Sequence, residues 1–461
     1  MSEVRKIQTM IPERPIRERL QSFEEVSLGF SEEQALAEAS RCLQCSKPGC
    51  MARCPIGVDV PAFISLIRSG DYSSALEKIR EVNPLPSICG RFCPQEDLCS
   101  RGCWETIRYT PISVGALERF VADRSLFTED SRQDISGAAA EVAAKSVAVI
   151  GSGPGGLTAA AELRKRGYQV VMFEALHELG GVLRYGIPEF RLPKKIVRAE
   201  IEHIRRLGVE MRTNMMMGTS ETIDELFEEG FDSVIIATGA GLPKFYNVPG
   251  ENLCGIYSSN EFLIRTNLMG ANDFPTRSDT PVKAKGIVTV VGSRGIDSAR
   301  CAIRLGAKEV NVLYGWKLVM RSDDIRRARE EGIKFQPFTQ PLEFIGDDKG
   351  WVKQVKCIKT ELILDKNFRK KLVPIKGTEF IQDADVVVIA RGQDPNAQIA
   401  KMSSGIQVTA KSKTITVNPE TYETTRKGVF AIGDVASGAG RAIDAIAEGK
   451  KVADVVSKFL A

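Results

Sequence analysis

The sequence predicts an α/β fold: an N-terminal α-helical domain followed by two Rossmann-like domains, the second inserted in the first. Three observations carry this. Apolar strand, glycine turn, helix and apolar strand alternate from Ser146 and again from Gly286, about 127 helix-forming residues precede the first unit, and a late strand ending in Gly433-Asp434 is placed to return to it. At 461 residues, 43% of them apolar, the chain can build about three domains with real cores.

In the helical domain, residues 1–127, Ser31 is placed as an N-cap with acidic residues after it, and Ala and Leu then recur at helical spacing towards Cys45. Pro61 to Gly70, Tyr72 to Arg80 and Gly115 to Phe127 read as three further helices. Eight of the eleven cysteines lie here in two runs, Cys42-x2-Cys45-x4-Cys50-x3-Cys54-Pro55 and Cys89-x3-Cys93-Pro94-x4-Cys99-x3-Cys103. Four close-spaced thiolates beside a proline are the grammar of iron-sulfur ligation. The competing readings are structural zinc, which favours Cys-x2-Cys pairs separated by a finger, and buried apolar thiols. Cys254, Cys301 and Cys357 stand alone and read as ordinary core cysteines.

Residues 128–145 are polar, then alanine-rich, and read as a linker. Strand Ser146 to Ile150, helix Gly155 to Arg166 and strand Gln169 to Phe173 then form a βαβ unit. Its turn is Gly151-Ser152-Gly153-Pro154-Gly155-Gly156. Gly151 makes the tight turn, Gly153 lets a pyrophosphate approach, and Gly156 permits helix packing, while Glu174 is placed for a ribose hydroxyl. FAD is the expected ligand, because Gly433-Asp434 offers an aspartate for a ribityl hydroxyl and Ala442 and Ile443 open a helix whose amides can face the flavin. The expected FAD domain is 146–250 with 393–461. The chain crosses out near Ala237-Thr238-Gly239, whose Thr238 and Gly239 are counted on the cofactor side, and back near Gly392.

The second unit, within 251–392, has strand Gly286 to Val291, helix Ile296 to Leu305 and strand Glu309 to Tyr314. No Gly-x-Gly-x-x-Gly can be written across its turn, Gly292-Ser293-Arg294-Gly295. Arg294 and Lys317 are the candidates to hold the phosphate of NAD(H) or NADP(H) beside Gly292 and Gly295. A domain with its nucleotide site eroded is the alternative.

Net charge is +4 from 63 basic and 59 acidic side chains, so no nucleic-acid or anionic-membrane partner is expected. No run of 18 apolar residues predicts membrane insertion, and the N-terminus lacks a signal-peptide pattern, so a cytoplasmic location is expected, where clustered cysteines serve metals better than disulfides. Only His177 and His203 are present, and no catalytic acid or base is assigned.

These motifs resemble the small (beta) subunit family of NADPH-dependent glutamate synthase, to which the N-terminal half of dihydropyrimidine dehydrogenase and the large subunit of NADH-dependent ferredoxin:NADP oxidoreductase are similar. The resemblance runs from Arg41-Cys42-Leu43-Gln44-Cys45 through Cys89-Gly90-Arg91-Phe92-Cys93-Pro94 and Gly180-Gly181-Val182-Leu183-Arg184-Tyr185-Gly186-Ile187-Pro188 to Gly433-Asp434-Val435. It adds Gly181 and Arg184 to the expected FAD site. It implies that Cys42, Cys45, Cys50 and Cys103 hold one 4Fe-4S cluster, that Cys54, Cys93, Cys99 and Glu118 hold the other, and that Cys89 is spare. The chain departs from the family in its shortened second glycine turn, in Gly315-Trp316 where relatives carry two arginines, and in Arg391.

The expected function is that of an iron-sulfur flavoprotein subunit of a hetero-oligomer, passing electrons between NAD(P)H and another oxidoreductase subunit or a ferredoxin-like protein through FAD and two 4Fe-4S clusters. Two alternatives stand beside it: a relay between partner proteins with a defunct nucleotide pocket, and a zinc-stabilised scaffold.

Overall fold

A computed structural model describes residues 7–107, 109–126, 145–276, 280–318, 321–365 and 368–461. Apart from Lys145, the expected linker lies outside the described residues, as does Phe127 at the end of the expected helix.

The longer helices of the N-terminal domain are α1 (Glu32–Ser40), α2 (Val60–Arg68), α3 (Tyr72–Arg80), α4 (Pro86–Phe92) and α5 (Val114–Leu126). Ser31 caps α1 as expected. Its hydroxyl accepts from the Gln34 amide at 3.2 Å while its own amide donates to the Gln34 side chain at 3.0 Å, a reciprocal capping box. Asp59 and Asp71 cap α2 and α3 without the reciprocal bond, their carboxylates accepting from the Ala62 and Ser74 amides at 3.1 Å. The apolar stripes Val60, Phe63, Ile64, Ile67 and Ala75, Leu76, Ile79 turn inward against α5. α5 is buried on almost every side, so even Glu118 and Arg119 are withdrawn from water.

Next come β1 (Ser146–Ile150), α6 (Pro154–Lys165), β2 (Gln169–Phe173), α7 (Lys194–Arg206), β3 (Glu210–Arg212) and β4 (Ser233–Ile236). The chain crosses out on β5 (Ala240–Pro243). The second Rossmann unit contains β6 (Ile256–Ser258), β7 (Gly286–Val291), α8 (Ile296–Arg304), β8 (Ala307–Leu313), α9 (Ser322–Glu330) and β9 (Lys334–Gln336). A sheet that the periodicity did not announce follows, β10 (Thr339–Gly346), β11 (Val352–Leu364), β12 (Lys370–Pro374) and β13 (Phe380–Asp383), all paired antiparallel. Then β14 (Val386–Ile389) and β15 (Gln393–Pro395) lead back to β16 (Val429–Ala431) and the long α10 (Ala442–Leu460).

Strand order is β16-β4-β1-β2-β3 in the first parallel sheet and β6-β14-β7-β8-β9 in the second. Because β16 pairs with β4, the chain's end completes the sheet its middle left, which makes the second domain an insertion. The two crossings, β5 and β15, run side by side as an antiparallel pair. α10 lies against α6 at backbone contact: a Cβ on Gly449 would stand 2.5 Å from the Gly155 carbonyl oxygen. Phe63, Ile67 and Leu117 of the helical domain share one core with Leu157, Ile201 and Val456 of the first Rossmann domain, so these two parts pack as one body.

The N-terminal segment belongs to more than its own domain. Val26 enters the core of the second Rossmann domain beside Phe190, and ion pairs tie Arg19 to Glu330 at 3.0 Å and Glu13 to Arg326 and Arg327 at 2.6 and 2.8 Å. Of the three solitary cysteines, Cys301 and Cys357 are buried as expected. Cys254 is exposed, a correction: its amide donates to the Gly350 carbonyl and it bridges Trp351 at the margin of the antiparallel sheet, while its neighbours Leu253 and Ile256 are the ones that pack against the core. Among the described residues no helix is long and apolar enough to cross a membrane.

Candidate cofactor sites

Cys42, Cys45, Cys50 and Cys103 line one cavity, closed by Val60, Ile64, Ile112 and Val114. Cys103 comes from the second cysteine run, and two glycines bring it there. A Cβ on Gly49 would lie 2.4 Å from the Gly102 oxygen and one on Gly102 would lie 2.3 Å from the Gly49 oxygen, so the two runs touch through bare backbone. Burial pushes the Cys50 thiol up to about 11, with the nearby Cys103 and Cys42 adding repulsion, and Cys42 and Cys45 are raised for the same reasons. A cationic metal-sulfide core placed among them would reverse that balance and hold them as thiolates. Among the described residues no three His, Cys, Asp or Glu side chains are arranged to hold a single metal ion. The thiols surround a space, which suits a group with several atoms of its own.

Cys54, Cys93, Cys99 and Glu118 form a deeper group. Each of the three thiols feels the Glu118 carboxylate, and Cys93 and Cys99 feel Cys54. Burial pushes Cys99 up to about 12 and Cys93 higher still. Glu118 is buried too, which raises its carboxyl to about 8 although Asn83 donates to it at 2.7 Å. Cys89 stands beside this group, buried, with its sulfur 3.7 Å from the Asn83 side-chain oxygen. Asn83 escaped the sequence reading; a polar residue inside Val82-Asn83-Pro84-Leu85 was the available signal. Arg441, which precedes α10, pairs with Asp444 at 2.7 Å, the main cause of its raised pKa, and lies in electrostatic reach of Cys93 and Asp97, so this group adjoins the expected flavin end of the FAD domain.

In the first glycine turn each residue has a distinct environment. Gly151 has φ +106°, and a Cβ there would lie 2.4 Å from the Ala237 oxygen; a Cβ on Gly156 would lie 2.0 Å from the Gly151 oxygen. Around the Cβ position of Gly153 there is nothing within 4 Å, which leaves open space at the start of α6. Glu174 follows β2 and accepts from the Ser152 amide at 3.1 Å and the Leu176 amide at 3.0 Å. Ser152 Oγ in turn accepts from Gly180 at 2.9 Å, and Gly181, φ +53°, sits against Gly153. Arg184 pairs with Glu178 at 3.0 Å, and its Nε is buried without a partner among the described residues, a donor left over for an anionic ligand. Tyr185, another residue the sequence reading missed, is half-buried within electrostatic reach of Glu174 and Asp434; desolvation pushes it up to about 12 and both carboxylates contribute.

Thr238 Oγ1 donates to the Asn396 carbonyl at 2.7 Å, and the Gly239 carbonyl accepts from the Asn396 amide at 2.9 Å, which stitches the two crossings together. Gly433, φ +69°, donates to Glu448, and Asp434 accepts from the Gly440 amide at 3.0 Å. Ala442 and Ile443 are the first two residues of α10, where amides lack partners within the helix. The open space at Gly153, the orphan Arg184 Nε and the helix amides fit a dinucleotide with anionic phosphates.

The second turn repeats only part of this. A Cβ on Gly292 would lie 2.2 Å from the Ala390 oxygen, as Gly151 does to Ala237, and one on Gly295 would lie 2.2 Å from Val290 Cγ1. Both glycines are spent on packing, and Ser293-Arg294 stands where an open glycine would be. Burial raises the Asp434 carboxyl, and the Gly440 amide and the charge of Arg294, which lies beside Gly392, offset part of that rise. Lys317 is exposed beyond β8, next to Trp316, whose ring lies under the Lys370 ammonium at 4.5 Å. Arg391 donates to the Phe245 carbonyl and lies 5.0 Å over the Tyr246 ring.

A helical cysteine domain joined to nested dinucleotide folds defines an iron-sulfur flavoprotein oxidoreductase, dependent on FAD and 4Fe-4S chemistry. The dihydropyrimidine dehydrogenase domain II, 4Fe-4S cluster family matches residues 19–129, and the pyridine nucleotide-disulphide oxidoreductase family matches residues 145–449. The chain is 32% identical to the glutamate synthase [NADPH] small chain of Escherichia coli over 97% of its own length and 96% of that protein's. It belongs to the glutamate synthase small-chain family. It is also 35% identical to the NADP(+)-dependent formate dehydrogenase subunit beta of Moorella thermoacetica, over 89% of this chain and 60% of that one. Among solved structures, FprA of Mycobacterium tuberculosis in complex with NADPH shares the fold, with a TM-score of 0.56 and 20% identity over 68% of this chain and 84% of that one.

Proposed function

We propose that the chain is the electron-transfer subunit of a heteromeric, cytoplasmic oxidoreductase, moving electrons between NAD(P)H and another oxidoreductase subunit or ferredoxin-like protein by way of FAD and two 4Fe-4S clusters. The observation that carries this is the cavity that gathers Cys42, Cys45 and Cys50 with Cys103 from the other run. Relatives named as a small chain and a beta subunit support the heteromeric part. In this reading the chain divides into a cluster domain at 1–127, an FAD domain at 146–250 and 393–461, and a nucleotide domain at 251–392. The second cluster has Cys54, Cys93, Cys99 and Glu118 as ligands. Gly151, Gly153, Gly156, Glu174, Gly181, Arg184, Thr238, Gly239, Gly433, Asp434, Ala442 and Ile443 surround the FAD, and Gly292, Arg294, Gly295 and Lys317 face the nucleotide.

FAD, when bound, accepts hydride and releases single electrons, which suits a protein that has both nucleotide and cluster sites. The residues' work is positional. Glu174 and Asp434 would orient hydroxyls, Arg184 would neutralise phosphate, and buried Glu118 would give its cluster one carboxylate in place of a thiolate, equal in charge but a weaker electron donor. The result is two clusters of unlike potential. Anaerobic purification is expected to return about eight irons and one FAD per chain; a colourless protein, or zinc in place of iron, refutes the reading. Glu118→Ala is expected to alter one cluster's electron paramagnetic resonance signal and spare the other, while Cys89→Ser leaves both. Identical spectra for Glu118→Ala and the parent would remove the carboxylate from the ligand set.

A second reading is favoured by the closed second turn, in which neither Gly292 nor Gly295 is left open. It makes the chain a relay without NAD(P)H. Anaerobic addition of NADH or NADPH separates the two: bleaching of the flavin by either nucleotide supports the first, and bleaching only by a low-potential chemical reductant supports the second.

A further inference from the structure

The two cysteine groups differ in depth. Cys99 and Glu118 are buried and Cys93 is half-buried, with Arg441 in electrostatic reach of Cys93, whereas the cavity of Cys42, Cys45, Cys50 and Cys103 reaches the surface at Leu43 and Trp104. Around that opening the surface is apolar. Leu43 is 48% exposed, Trp104 53% and Ile107 70%, and Trp104 is held in place by its indole N–H, which donates to the Lys47 carbonyl at 3.1 Å. A fixed, exposed tryptophan beside aliphatic neighbours is the kind of anchor that concentrates binding energy.

The rim is cationic. Lys47, Arg53, Arg68 and Arg101 are all exposed. Arg68 ends α2, the helix whose Val60 and Ile64 line the cavity, and Arg53 lies against Gly102 at the cavity wall. Elsewhere this chain pairs its charges freely, but among the described residues none of these four forms an ion pair. Glu105, the carboxylate of the same turn, is buried, and Glu96 faces Arg321 at 3.6 Å. In a chain of nearly balanced charge, four unpaired cations around one apolar opening are a local electrostatic signal.

We propose that this face docks an acidic redox protein of the ferredoxin type, with Trp104, Leu43 and Ile107 as the apolar centre and Lys47, Arg53, Arg68 and Arg101 as the complementary rim. The inference rests on the reading above that Cys42, Cys45, Cys50 and Cys103 hold a cluster, and it names the partner's chemistry and the surface it uses. The deeper group then lies on the flavin side and the shallower one on the partner side. Charge around an apolar centre sets encounter rate and orientation, and the centre supplies affinity.

The test is binding of an acidic bacterial ferredoxin, oxidised so that no electrons move, to the anaerobically purified holoprotein by calorimetric titration. Affinity is expected to fall about tenfold or more between roughly 20 and 300 mM NaCl. A Lys47→Glu/Arg68→Glu variant should lose about tenfold at low salt, and Trp104→Ala a similar factor. Iron and flavin content is measured on each preparation, so loss of the clusters, which would sink the functional reading, is told apart from loss of docking. The proposal is overturned by no ferredoxin binding at low salt, by binding indifferent to salt and to both variants, or by tighter binding of basic cytochrome c or of phosphatidylglycerol vesicles than of ferredoxin.

Discussion

Gly151→Ala is expected to yield protein without flavin. The residue holds φ +106°, a conformation that costs an L-residue about 1–2 kcal/mol. The new methyl would also lie 2.4 Å from the Ala237 oxygen and 2.8 Å from its carbonyl carbon. Both neighbours are backbone at the end of β4, so no side-chain rotation relieves the contact, and β4 must move away from β1. Such overpacking costs about 1–3 kcal/mol more, and the movement opens the turn that faces the cofactor. Flavin content per chain and the melting temperature should fall together. Gly153→Ala separates the two effects. Its Cβ meets nothing within 4 Å and its backbone is unstrained, so the melting temperature of the flavin-free protein should hold while flavin is lost because the methyl takes up the open space. Full flavin occupancy in both variants would show that this turn does not face the cofactor.

Glu331→Ala is expected to destabilise the protein by about 3–5 kcal/mol, the cost of removing one partner from a buried ionic cluster. Arg300 and Arg304 reach Glu331 at 2.8 Å from α8, all three side chains are sealed from solvent, and both guanidiniums lie over the Phe190 ring at 4.5 and 4.1 Å. Without the carboxylate, the one ion pair left to these two buried cations among the described residues is that of Arg300 with Asp324 at 3.5 Å. Burial alone would raise the Glu331 carboxyl, but the hydrogen bonds and charges of Arg304 and Arg300 win and lower it from 4.5 to about 2. A depressed carboxylate stabilises the fold fully above its unfolded value and loses that contribution as pH falls from about 4.5 towards 2. The stability gap between parent and variant, measured by chemical denaturation, should be widest above pH 5 and shrink in acid. A gap that is constant with pH would mean that the loss comes from packing, not from charge.

Much of the fold was legible because it is written in short-range terms. The βαβ units show in strand periodicity, the roles of Gly151 and Gly156 follow from the missing Cβ, and Ser31 announced its cap through the acidic residues that follow it. The antiparallel sheet from β10 to β13 was not legible. Its strands alternate weakly and carry many charges, so only pairing with β11 defines them. Cys254 was placed in the core by residue type alone, and its position at a sheet margin decided otherwise.

At the sites the division is sharper. Spacing alone groups four cysteines within each run, and it takes the Gly49–Gly102 backbone contact, 53 residues apart in sequence, to put Cys103 into the cavity of the first run. Asn83 beside Glu118, Tyr185 within electrostatic reach of Glu174 and Asp434, and Arg294 beside Gly392 likewise bring distant segments together.

By itself, the order of residues determined the helical cysteine domain, the two nucleotide-type units and the nesting of one in the other, because periodicity, caps and glycine turns act over a few residues. Only the tertiary structure decided which thiols share a space, which lie deep and which near the surface, and where Arg294 points. Those outcomes depend on close approach between segments far apart in the chain, where a missing methyl or a buried charge counts only once its neighbour is known.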